Sequence, residues 1–478
     1  MSSLTALDRR SFLKQSTGAL VALGFAPLAR ADEKRPVREY RLVAGPAEIA
    51  VAPGRVWSTW AYNGQVPGPM IRATQGERIR VVLENQLEEP TTIHWHGVPL
   101  PNAMDGLPGM TQDPIAPGET FVYEFDANVP GTYFYHSHVG LQLDRGLLGP
   151  LVIDPAGPEG VADREFLLFL DDWLPTNPDD ALAAMMAVTT PGMGGGMMGG
   201  GMGGGMPGAS SATEPPYAGY LANGRMGTAL DALAVTRGER VRVRIINGSA
   251  ATTHRVGLTG HKLTVTHADG QRVAPVDVDT LVIGMGERYD IVVRMENTGA
   301  WTLLAGSVDA AVPGIALPVV YGGQQPSASP ITVWPVSLAQ GKTLSYAGLV
   351  PFDGRGGPSS GRVMTLTLSA GSNGAWTING QAYPNADPLR FTLGERIRFQ
   401  FRNMSMLRHP MHLHGHFFQL IDRATGRVSG PVKDTVLVEP MMGAVDVEWV
   451  ADNPGRWLLH CHHAYHMEMG MMREVVVE

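Results

Sequence analysis

The chain has 478 residues, of which 44% are hydrophobic and 17% charged, and its formal net charge is −8 at pH 7. This length exceeds what one hydrophobic core usually supports and predicts about three domains. The acidic balance argues against nucleic acid as a partner, while 59 Gly and 36 Pro favour strands and turns over long helices.

Residues 1–31 differ from the rest of the chain. Arg9-Arg10-Ser11-Phe12-Leu13-Lys14 precedes a short apolar stretch and Ala29-Arg30-Ala31, a small-residue cleavage pattern. The apolar stretch is shorter than the ~20 residues needed to span a membrane, which disfavours an anchor. We therefore predict a twin-arginine signal peptide, export to the periplasm in the folded state, and no membrane attachment after its removal.

Two phrases recur three times along the chain. The first is Asn-Gly followed by Gly-Glu-Arg, and each Gly-Glu-Arg opens an alternating polar and apolar run that is typical of a half-buried strand. The Gly-Glu-Arg copies begin at Gly76, Gly238 and Gly394, and the second phrase begins at Pro130, Thr298 and Pro454. The repeats predict an all-β protein of three β-sandwich domains, at 32–155, 156–325 and 326–478.

Histidine pairs occur in the first and third copies and are missing from the second. The pairs are His94/His96, His136/His138, His412/His414 and His460/His462. Residues i and i+2 of a strand face the same side, so each pair delivers two imidazoles to one face. Eight neutral imidazoles without carboxylates suit copper better than calcium or magnesium, and they exceed what one ion can use. The pattern predicts a copper cluster.

A segment rich in Met and Gly lies early in the second domain, at about 185–208. Its low complexity predicts a mobile loop. Thioether sulfur favours Cu(I), so possible Cu(I) ligands are Met193, Met197, Met198, Met202 and Met206. A flexible insertion with incidental methionines is the alternative.

Four further methionines lie in the third domain, at Met404, Met406, Met441 and Met442. They could extend a Cu(I) path towards a mononuclear copper site around Cys461 in the same domain, or they could fill the core, since methionine packs adaptably. The sequence leaves both open.

Cys461 is the only cysteine, so an intrachain disulfide is excluded. It lies between His460 and His462, and its thiolate therefore faces away from the paired imidazoles and can bind a separate ion. His409 and His466 complete a His₂Cys set, and Met471 is placed as the long axial ligand of a blue copper site. Structural zinc sites usually have a second thiolate, which disfavours zinc.

These motifs, in order, resemble the copper signatures of three-domain multicopper oxidases. They are His94-Trp95-His96-Gly97, Tyr135-His136-Ser137-His138, His409 to His416, and His460-Cys461-His462 through Met471, and the last is most similar to the bacterial laccase-like and copper-resistance branch. The resemblance implies consecutive cupredoxin-like Greek-key sandwiches and four copper ions, one of type 1, one of type 2 and two of type 3.

The resemblance also implies a role for each ligand. It assigns His409, Cys461, His466 and Met471 to type 1, His94 and His412 to type 2, and His96, His136, His138, His414, His460 and His462 to type 3. The cluster is expected between domains one and three, with domain two as a ligand-free spacer. The remaining histidines, His254, His261, His267, His416 and His463, are expected to have surface or packing roles.

Reduction of dioxygen to water consumes protons, which neutral imidazoles supply poorly, so a nearby carboxylate should serve. Asp105, nine residues after His96, matches the family's cluster-side acid, although an Asp-Gly turn with Gly106 is the alternative. Glu468 is a second candidate, displaced by one position from the glutamate of some relatives.

The expected function is one-electron oxidation of Cu(I), and of phenols and aromatic amines, coupled to reduction of dioxygen to water by a monomer that serves copper tolerance. The alternatives are a phenol-specific laccase and a non-catalytic periplasmic copper-binding protein. Retention of ten candidate histidine ligands and Cys461 argues against the non-catalytic protein, which would not need the oxygen-reducing cluster. A copper nitrite reductase is disfavoured because it does not need four His-x-His sets.

Overall fold

The computed structural model describes residues 35–160, 162–189, 214–322, 331, 333–371 and 374–478. The predicted signal peptide and the five loop methionines from Met193 to Met206 lie outside these residues. From Pro36 to Glu478 the chain forms one compact unit, and its described residues build six sheets. The sheets pair into three sandwiches, which confirms the predicted all-β class.

The first sandwich consists of two four-stranded sheets. Its strands are β1 Val37–Ala52, β2 Arg55–Tyr62, β3 Ile71–Thr74, β4 Arg78–Asn85, β5 His94–His96, β6 Thr120–Asp126, β7 Gly131–His136 and β8 Leu148–Asp154. The sheet orders are β2-β1-β4-β6 and β3-β8-β7-β5, and a short 3₁₀ helix spans Asn102–Met104. The inward residues of β4, Ile79, Val81 and Leu83, are fully buried, as its alternating pattern predicts.

The second sandwich has a six-stranded and a five-stranded sheet. Its elements are β9 Arg164–Trp173, α1 Pro178–Thr189, β10 Gly219–Ala222, β11 Leu233–Val235, β12 Arg240–Asn247, β13 His254–Leu258, β14 Leu263–Ala268, β15 Gln271–Val278, β16 Thr280–Ile283, β17 Arg288–Arg294, β18 Ala300–Ser307 and β19 Ile315–Tyr321, with a 3₁₀ helix at Gly227–Ala229. The sheet orders are β10-β9-β12-β17-β14-β15 and β11-β19-β18-β13-β16.

The third sandwich has a seven-stranded and a five-stranded sheet. Its elements are α2 Val336–Ala339, β20 Gly357–Pro358, β21 Arg362–Ala370, β22 Trp376–Ile378, β23 Leu389–Phe391, β24 Arg396–Asn403, β25 His409–Leu413, β26 Phe418–Asp422, β27 Arg427–Lys433, β28 Thr435–Val438, β29 Ala444–Val450, β30 Gly455–Cys461, α3 Ala464–Glu468 and β31 Met472–Val477, with a 3₁₀ helix at Tyr346–Gly348. The sheet orders are β20-β27-β26-β29-β24-β21-β22 and β23-β31-β30-β25-β28.

The repeated Asn-Gly pair forms the same turn in each sandwich. The three asparagines adopt left-handed backbone, with φ of 53° at Asn63, 50° at Asn223 and 55° at Asn379, a conformation that Asn tolerates better than most residues. Each side-chain oxygen also accepts a hydrogen bond from a backbone N–H, of Val43 (2.6 Å), Phe169 (2.8 Å) and Thr367 (2.7 Å) respectively. The repeat therefore marks one structural position.

The repeated Gly-Glu-Arg also has one role. Strands β4, β12 and β24 each begin at its arginine, as predicted. The glutamate carboxylate accepts from a backbone N–H three residues earlier, at 2.7 Å for Glu77, 2.8 Å for Glu239 and 3.0 Å for Glu395. Each glutamate thus closes the turn that leads into the strand.

The prediction of a loop from about residue 185 is wrong for its first residues, which belong to α1. Pro178 lies at the first helical position and Asp179 and Asp180 in the first turn, where proline φ and negative charge both favour a helix. Met185 is 4% exposed and packs in the apolar core. None of the described helices is long and apolar enough to cross a membrane.

The apolar core of the third sandwich continues into the other two. One cluster of buried side chains joins Phe399 and Trp457 of the third sandwich to Phe134 of the first and Phe169 of the second. Because protein interiors are close-packed, this shared core holds the three sandwiches in a fixed arrangement relative to one another. The histidine pairs lie beside it.

Candidate metal centre

The four histidine pairs lie on two matching pairs of neighbouring strands. In the first sandwich β5 and β7 place His94 opposite His136, and in the third β25 and β30 place His412 opposite His460. All eight paired histidines are buried, with at most 7% of the residue exposed. The first and third sandwiches therefore bring their imidazoles to one buried region.

Histidines from both sandwiches lie close enough together to form candidate metal-binding groups. Their ring nitrogens lie within 4.8 Å of one another in three groups, His94/His412/His414, His94/His96/His136 and His138/His414/His460. His462 joins them, with ring centroids 4.8 Å from His96 and 5.3 Å from His136. The predicted cluster of eight histidines between domains one and three is thus assembled.

The chemistry of these imidazoles fits metal ions. Burial lowers the pKa of His136, His414 and His460 well below its ordinary value, and that of His138 to about 3, so the rings are neutral. His94, His136 and His412 direct their Nδ1 atoms to backbone carbonyls at 2.8–3.0 Å. Their Nε2 atoms are buried without a hydrogen-bond partner. Buried polar atoms are rarely left unpaired, so these nitrogens are suited to coordinate copper.

Asp105 links the two halves of the cluster. Its carboxylate accepts from Nδ1 of His414 at 2.9 Å and lies 3.2 Å from Nδ1 of His94, and the residue is 1% exposed. The side chain therefore contacts one histidine from each ligand-bearing sandwich. This position is compatible with proton delivery, although the following Gly106 does adopt left-handed backbone, with φ of 78°.

A second carboxylate beside the cluster, Asp434, was missed by the sequence analysis. Its Oδ1 accepts from His96 Nε2 at 3.1 Å, and its backbone carbonyl accepts from His412 Nδ1 at 3.0 Å. Burial alone would raise the pKa of Asp434, but Arg288, at 2.6 Å and 2.7 Å, holds that pKa well below its ordinary value. Asp434 with His96 and His412 could by itself hold a metal, yet the guanidinium in contact with both oxygens disfavours a second cation there.

The predicted mononuclear site also assembles. Cys461 Sγ lies 3.6 Å from His409 Nδ1 and 3.8 Å from His466 Nδ1. Met471 is fully buried, and its backbone carbonyl accepts from the N–H of Cys461 at 3.0 Å. Burial raises the pKa of the Cys461 thiol, so a bound cation rather than solvent must stabilise the thiolate. His409, Cys461 and His466 are a donor set that suits a blue copper ion. The axial role of the Met471 thioether stays a prediction.

Neighbouring side chains hold and shield the mononuclear ligands. His409 Nε2–H donates to Ser405 Oγ at 2.7 Å, which turns Nδ1 towards the sulfur. Trp376 lies against both imidazoles, with ring centroids 5.0 Å from His409 and 4.2 Å from His466. Since His460 and His462 flank Cys461 on β30 and the following turn, the two sites are joined through peptide bonds.

The five remaining histidines are all buried. Of the two roles expected for them, packing therefore fits and a surface role does not. His254, His261, His267 and His416 are 0–8% exposed. They contact aromatic rings or polar side chains, including Tyr220, Trp301, Glu159 and Trp449. His463 differs because its ring stacks on His466 at 3.7 Å and 9° while its Nε2–H donates to Glu214 at 3.1 Å.

Glu468, the second predicted proton donor, lies at the C-terminal end of α3 and is exposed. It stands on the side of the mononuclear site, two residues after His466. Its role as a relay stays a prediction.

Two residues of the second sandwich that lie beside the histidine cluster, Gly286 and Arg288, were missed by the sequence analysis. Gly286, with φ of +81°, approaches His96 and His462 so closely that a Cβ there would lie 2.9 Å from each ring. Arg288 is fully buried and reaches Asp434. The available signal was a fourth Gly-Glu-Arg, at Gly286-Glu287-Arg288, and the charged pair Lys433-Asp434 inside an apolar run.

Comparisons with known proteins agree with this geometry. Family models described as multicopper oxidase match residues 46–157, 164–319 and 357–478. The chain is 38% identical to the multicopper oxidase MmcO of Mycobacterium tuberculosis, covering 98% of this chain and 92% of that protein. It is 30% identical to the copper resistance protein A of Escherichia coli, covering 98% and 99%. The solved laccase of Botrytis aclada matches with a TM-score of 0.77 and 27% identity over 93% of this chain and 88% of that one.

Proposed function

Because the chain belongs to the multicopper oxidase family of oxidoreductases, we propose that its reductant is Cu(I), that phenols and aromatic amines are secondary reductants, and that it serves copper tolerance. Four bound coppers would supply one-electron uptake from the reductant and reduction of dioxygen to water. His409, Cys461, His466 and Met471 would hold the mononuclear copper, and the eight paired histidines the other three.

A patch of four exposed methionines carries the Cu(I) proposal. Met404, Met406, Met441 and Met442 expose 54%, 72%, 66% and 72% of their surface, whereas methionine is usually buried. Core filling is therefore excluded for all four. Thioether sulfur is a soft ligand that favours Cu(I), and four thioethers on one surface offer several ligands to one ion.

The backbone brings these methionines together. The N–H of Met441 donates to the Ser405 carbonyl and that of Met442 to the Asn403 carbonyl, both at 2.9 Å, so the two methionine loops are adjacent. Met441 and Met442 both have positive φ, at 52° and 70°. Strained backbone of this kind, at a cost of about 1–3 kcal/mol per residue, often accompanies a functional site.

The methionine patch is also next to the point of electron entry. Ser405, between Met404 and Met406, accepts the hydrogen bond from the mononuclear ligand His409. A cuprous ion held by the patch would thus be separated from the mononuclear site by one short loop. The likeness to a copper resistance protein over nearly the whole length of both chains supports the proposed role in copper tolerance.

Periplasmic export by the twin-arginine route remains part of the proposal, as does a monomeric state. The segment with Met193, Met197, Met198, Met202 and Met206 is proposed as a second collector of Cu(I); it lies outside the described residues. Exchange of Arg9 and Arg10 for lysine, followed by cell fractionation, would test the route, and protein that still reached the periplasm would reject it.

The substrate proposal is tested by replacing the four patch methionines with leucine, which keeps their size but removes sulfur. We expect oxygen uptake with Cu(I) to fall about tenfold or more, at least the effect of losing residues that support a metal site, while uptake with a phenol stays near wild type. Met70→Leu is the matched control, since Met70 is an exposed methionine of the first sandwich. Equal loss of uptake with both reductants, or no loss with Cu(I), would reject a dedicated role for the methionine patch. Wild-type uptake with a phenol but not with Cu(I) would favour a phenol-specific laccase, and wild-type uptake with neither would favour a copper-binding protein without catalysis.

A further inference from the structure

A network of buried charges lies where the second and third sandwiches meet beside the histidine cluster. It consists of Asp269, Glu287 and Arg288 from the second sandwich and Lys433 and Asp434 from the third, and each residue is at most 1% exposed. Burying five charges is costly unless each is paired. Their position beside the cluster points to a role in holding the ligands.

The network is continuous from the second sandwich to the cluster. Arg288 donates to both oxygens of Asp434, at 2.7 Å and 2.6 Å, the bidentate arrangement that fixes orientation as well as charge. Asp269 accepts from the backbone N–H groups of Asp434 and Thr435, at 3.3 Å and 3.2 Å. The carboxylate and backbone of Asp434 are therefore both held by the second sandwich.

Asp434 in turn determines which nitrogen of His96 is free. Its Oδ1 accepts from His96 Nε2, and Thr435 Oγ1 lies at the same distance of 3.1 Å from that nitrogen. This leaves Nδ1 of His96 without a partner, whereas His94, His136, His138 and His412 keep Nε2 free. His96 thus presents the opposite nitrogen, and the hydrogen bond to Asp434 is what selects it.

Packing leaves little freedom at this point. Gly97, next to His96, approaches Arg288 and Asp434 so closely that a Cβ would lie 2.4 Å from each. Arg288 also donates to the carbonyls of Gly286, at 3.0 Å, and Thr132, at 3.1 Å. The guanidinium therefore contacts backbone or side chains of all three sandwiches.

We propose that Arg288 is a positioning residue for the copper cluster: it fixes Asp434, which holds His96 with Nδ1 free and His412 through its carbonyl. The second sandwich is then a required part of the cluster although it supplies no ligand. This inference goes beyond the proposed substrate, because it concerns the cluster whatever the reductant.

The test compares Arg288→Gln with Arg242→Gln in the copper-loaded full chain. Arg242 is a matched control, since it is a buried arginine of the second sandwich that pairs with Asp290 and Glu159 and has no described contact with a cluster histidine. We expect Arg288→Gln to alter the type 2 copper electron paramagnetic resonance signal and to weaken cluster copper retention on dialysis about 10- to 100-fold, with the type 1 blue absorption unchanged. Arg242→Gln should leave all three readouts as in the wild type.

A wild-type type 2 signal and wild-type copper retention in Arg288→Gln would overturn the proposal, as would equal changes in Arg242→Gln. If Arg288→Gln does not fold, Arg288→Lys replaces it, because lysine keeps the charge and loses the bidentate contact. An altered type 2 signal in Arg288→Lys supports the proposal, and an unaltered one rejects it. None of these readouts uses Cu(I) or a phenol as substrate, so they stand apart from the test of the reductant.

Discussion

Asp105 contacts a histidine from each half of the cluster, and this double contact distinguishes a functional carboxylate from a plain turn. Asp105→Asn keeps the shape but removes the acid, so we predict turnover about 100-fold slower, within the range for loss of a general acid, with copper content unchanged. Oxygen consumption and bound copper are measured together. Asp113→Asn, an exposed position in the same connection, is the control. Unaltered oxygen consumption in Asp105→Asn would mean that Asp105 serves only the turn with Gly106 and does not deliver protons.

Gly286 of the second sandwich lies directly beside two histidines of the cluster, His96 and His462. In Gly286→Ala the new Cβ would meet His96 and His462 at 2.9 Å on a backbone with φ of +81°. We predict loss of cluster copper with retention of the blue type 1 absorption. Gly238→Ala separates crowding from backbone strain, because Gly238 has φ of +85° with nothing within 4 Å of a Cβ. Equal copper loss in the two variants would mean that backbone strain, and not contact of the new Cβ with the histidines, causes the loss.

At the scale of elements, each of the three Asn-Gly turns combines a left-handed backbone at the asparagine with two hydrogen bonds of its side chain. For Asn379, these bonds are from the Thr367 N–H at 2.7 Å and to the Thr365 carbonyl at 3.0 Å. Both Asn379→Gly and Asn379→Ala lose these bonds. Alanine keeps a Cβ at positive φ, which costs about 1–2 kcal/mol relative to glycine. We predict a lower thermal midpoint for Ala than for Gly. The same midpoint in both variants would show that the backbone conformation is not limiting.

Glu159, a partly buried residue in the connection before β9, pairs with Arg242 and His267 of the second sandwich, and its response to pH can be predicted. Hydrogen bonding to His267, opposed by burial and assisted by Arg242, lowers the pKa of Glu159 from 4.5 to about 2. Because the pKa of Glu159 is lower in the folded protein than in the unfolded chain, its ionised carboxylate stabilises the fold at pH values above about 4.5. This contribution is lost as the pH falls from about 4.5 to about 2.

Glu159→Gln removes that contribution. The difference in thermal midpoint between wild type and variant should therefore be largest near neutral pH and shrink below about pH 4.5. Glu88→Gln, at an exposed position, should show no such trend. A difference that stayed constant down to pH 3 would contradict the role of the ionised carboxylate.

At the scale of the whole molecule, the repeated phrases and the i, i+2 rule were sufficient to predict three sandwiches and the eight paired histidines, because both depend on short-range pattern. Asp434 could not be found in this way. It lies 338 residues from His96 and 146 from Arg288 in sequence, and only the packing of three domains brings these side chains together.

The same reason explains why the sequence predicts only a spacer role for the second sandwich. Its lack of histidine pairs is visible in the sequence, whereas Gly286 and Arg288 act through close approach and charge, which no periodic pattern records. The four third-domain methionines were ambiguous for a related reason, since their exposure depends on how two distant loops pair. The boundaries at 155 and 325 stay predictions.

We propose that this multicopper oxidase takes electrons from Cu(I) and passes them to dioxygen. The most direct test is oxygen uptake by the copper-loaded full chain with Cu(I) as the only reductant, recorded with the Cu(I) consumed and any peroxide formed. We predict four Cu(I) ions oxidised for each dioxygen consumed, without peroxide. Uptake with a phenol but none with Cu(I) above the rate without protein would contradict the claim.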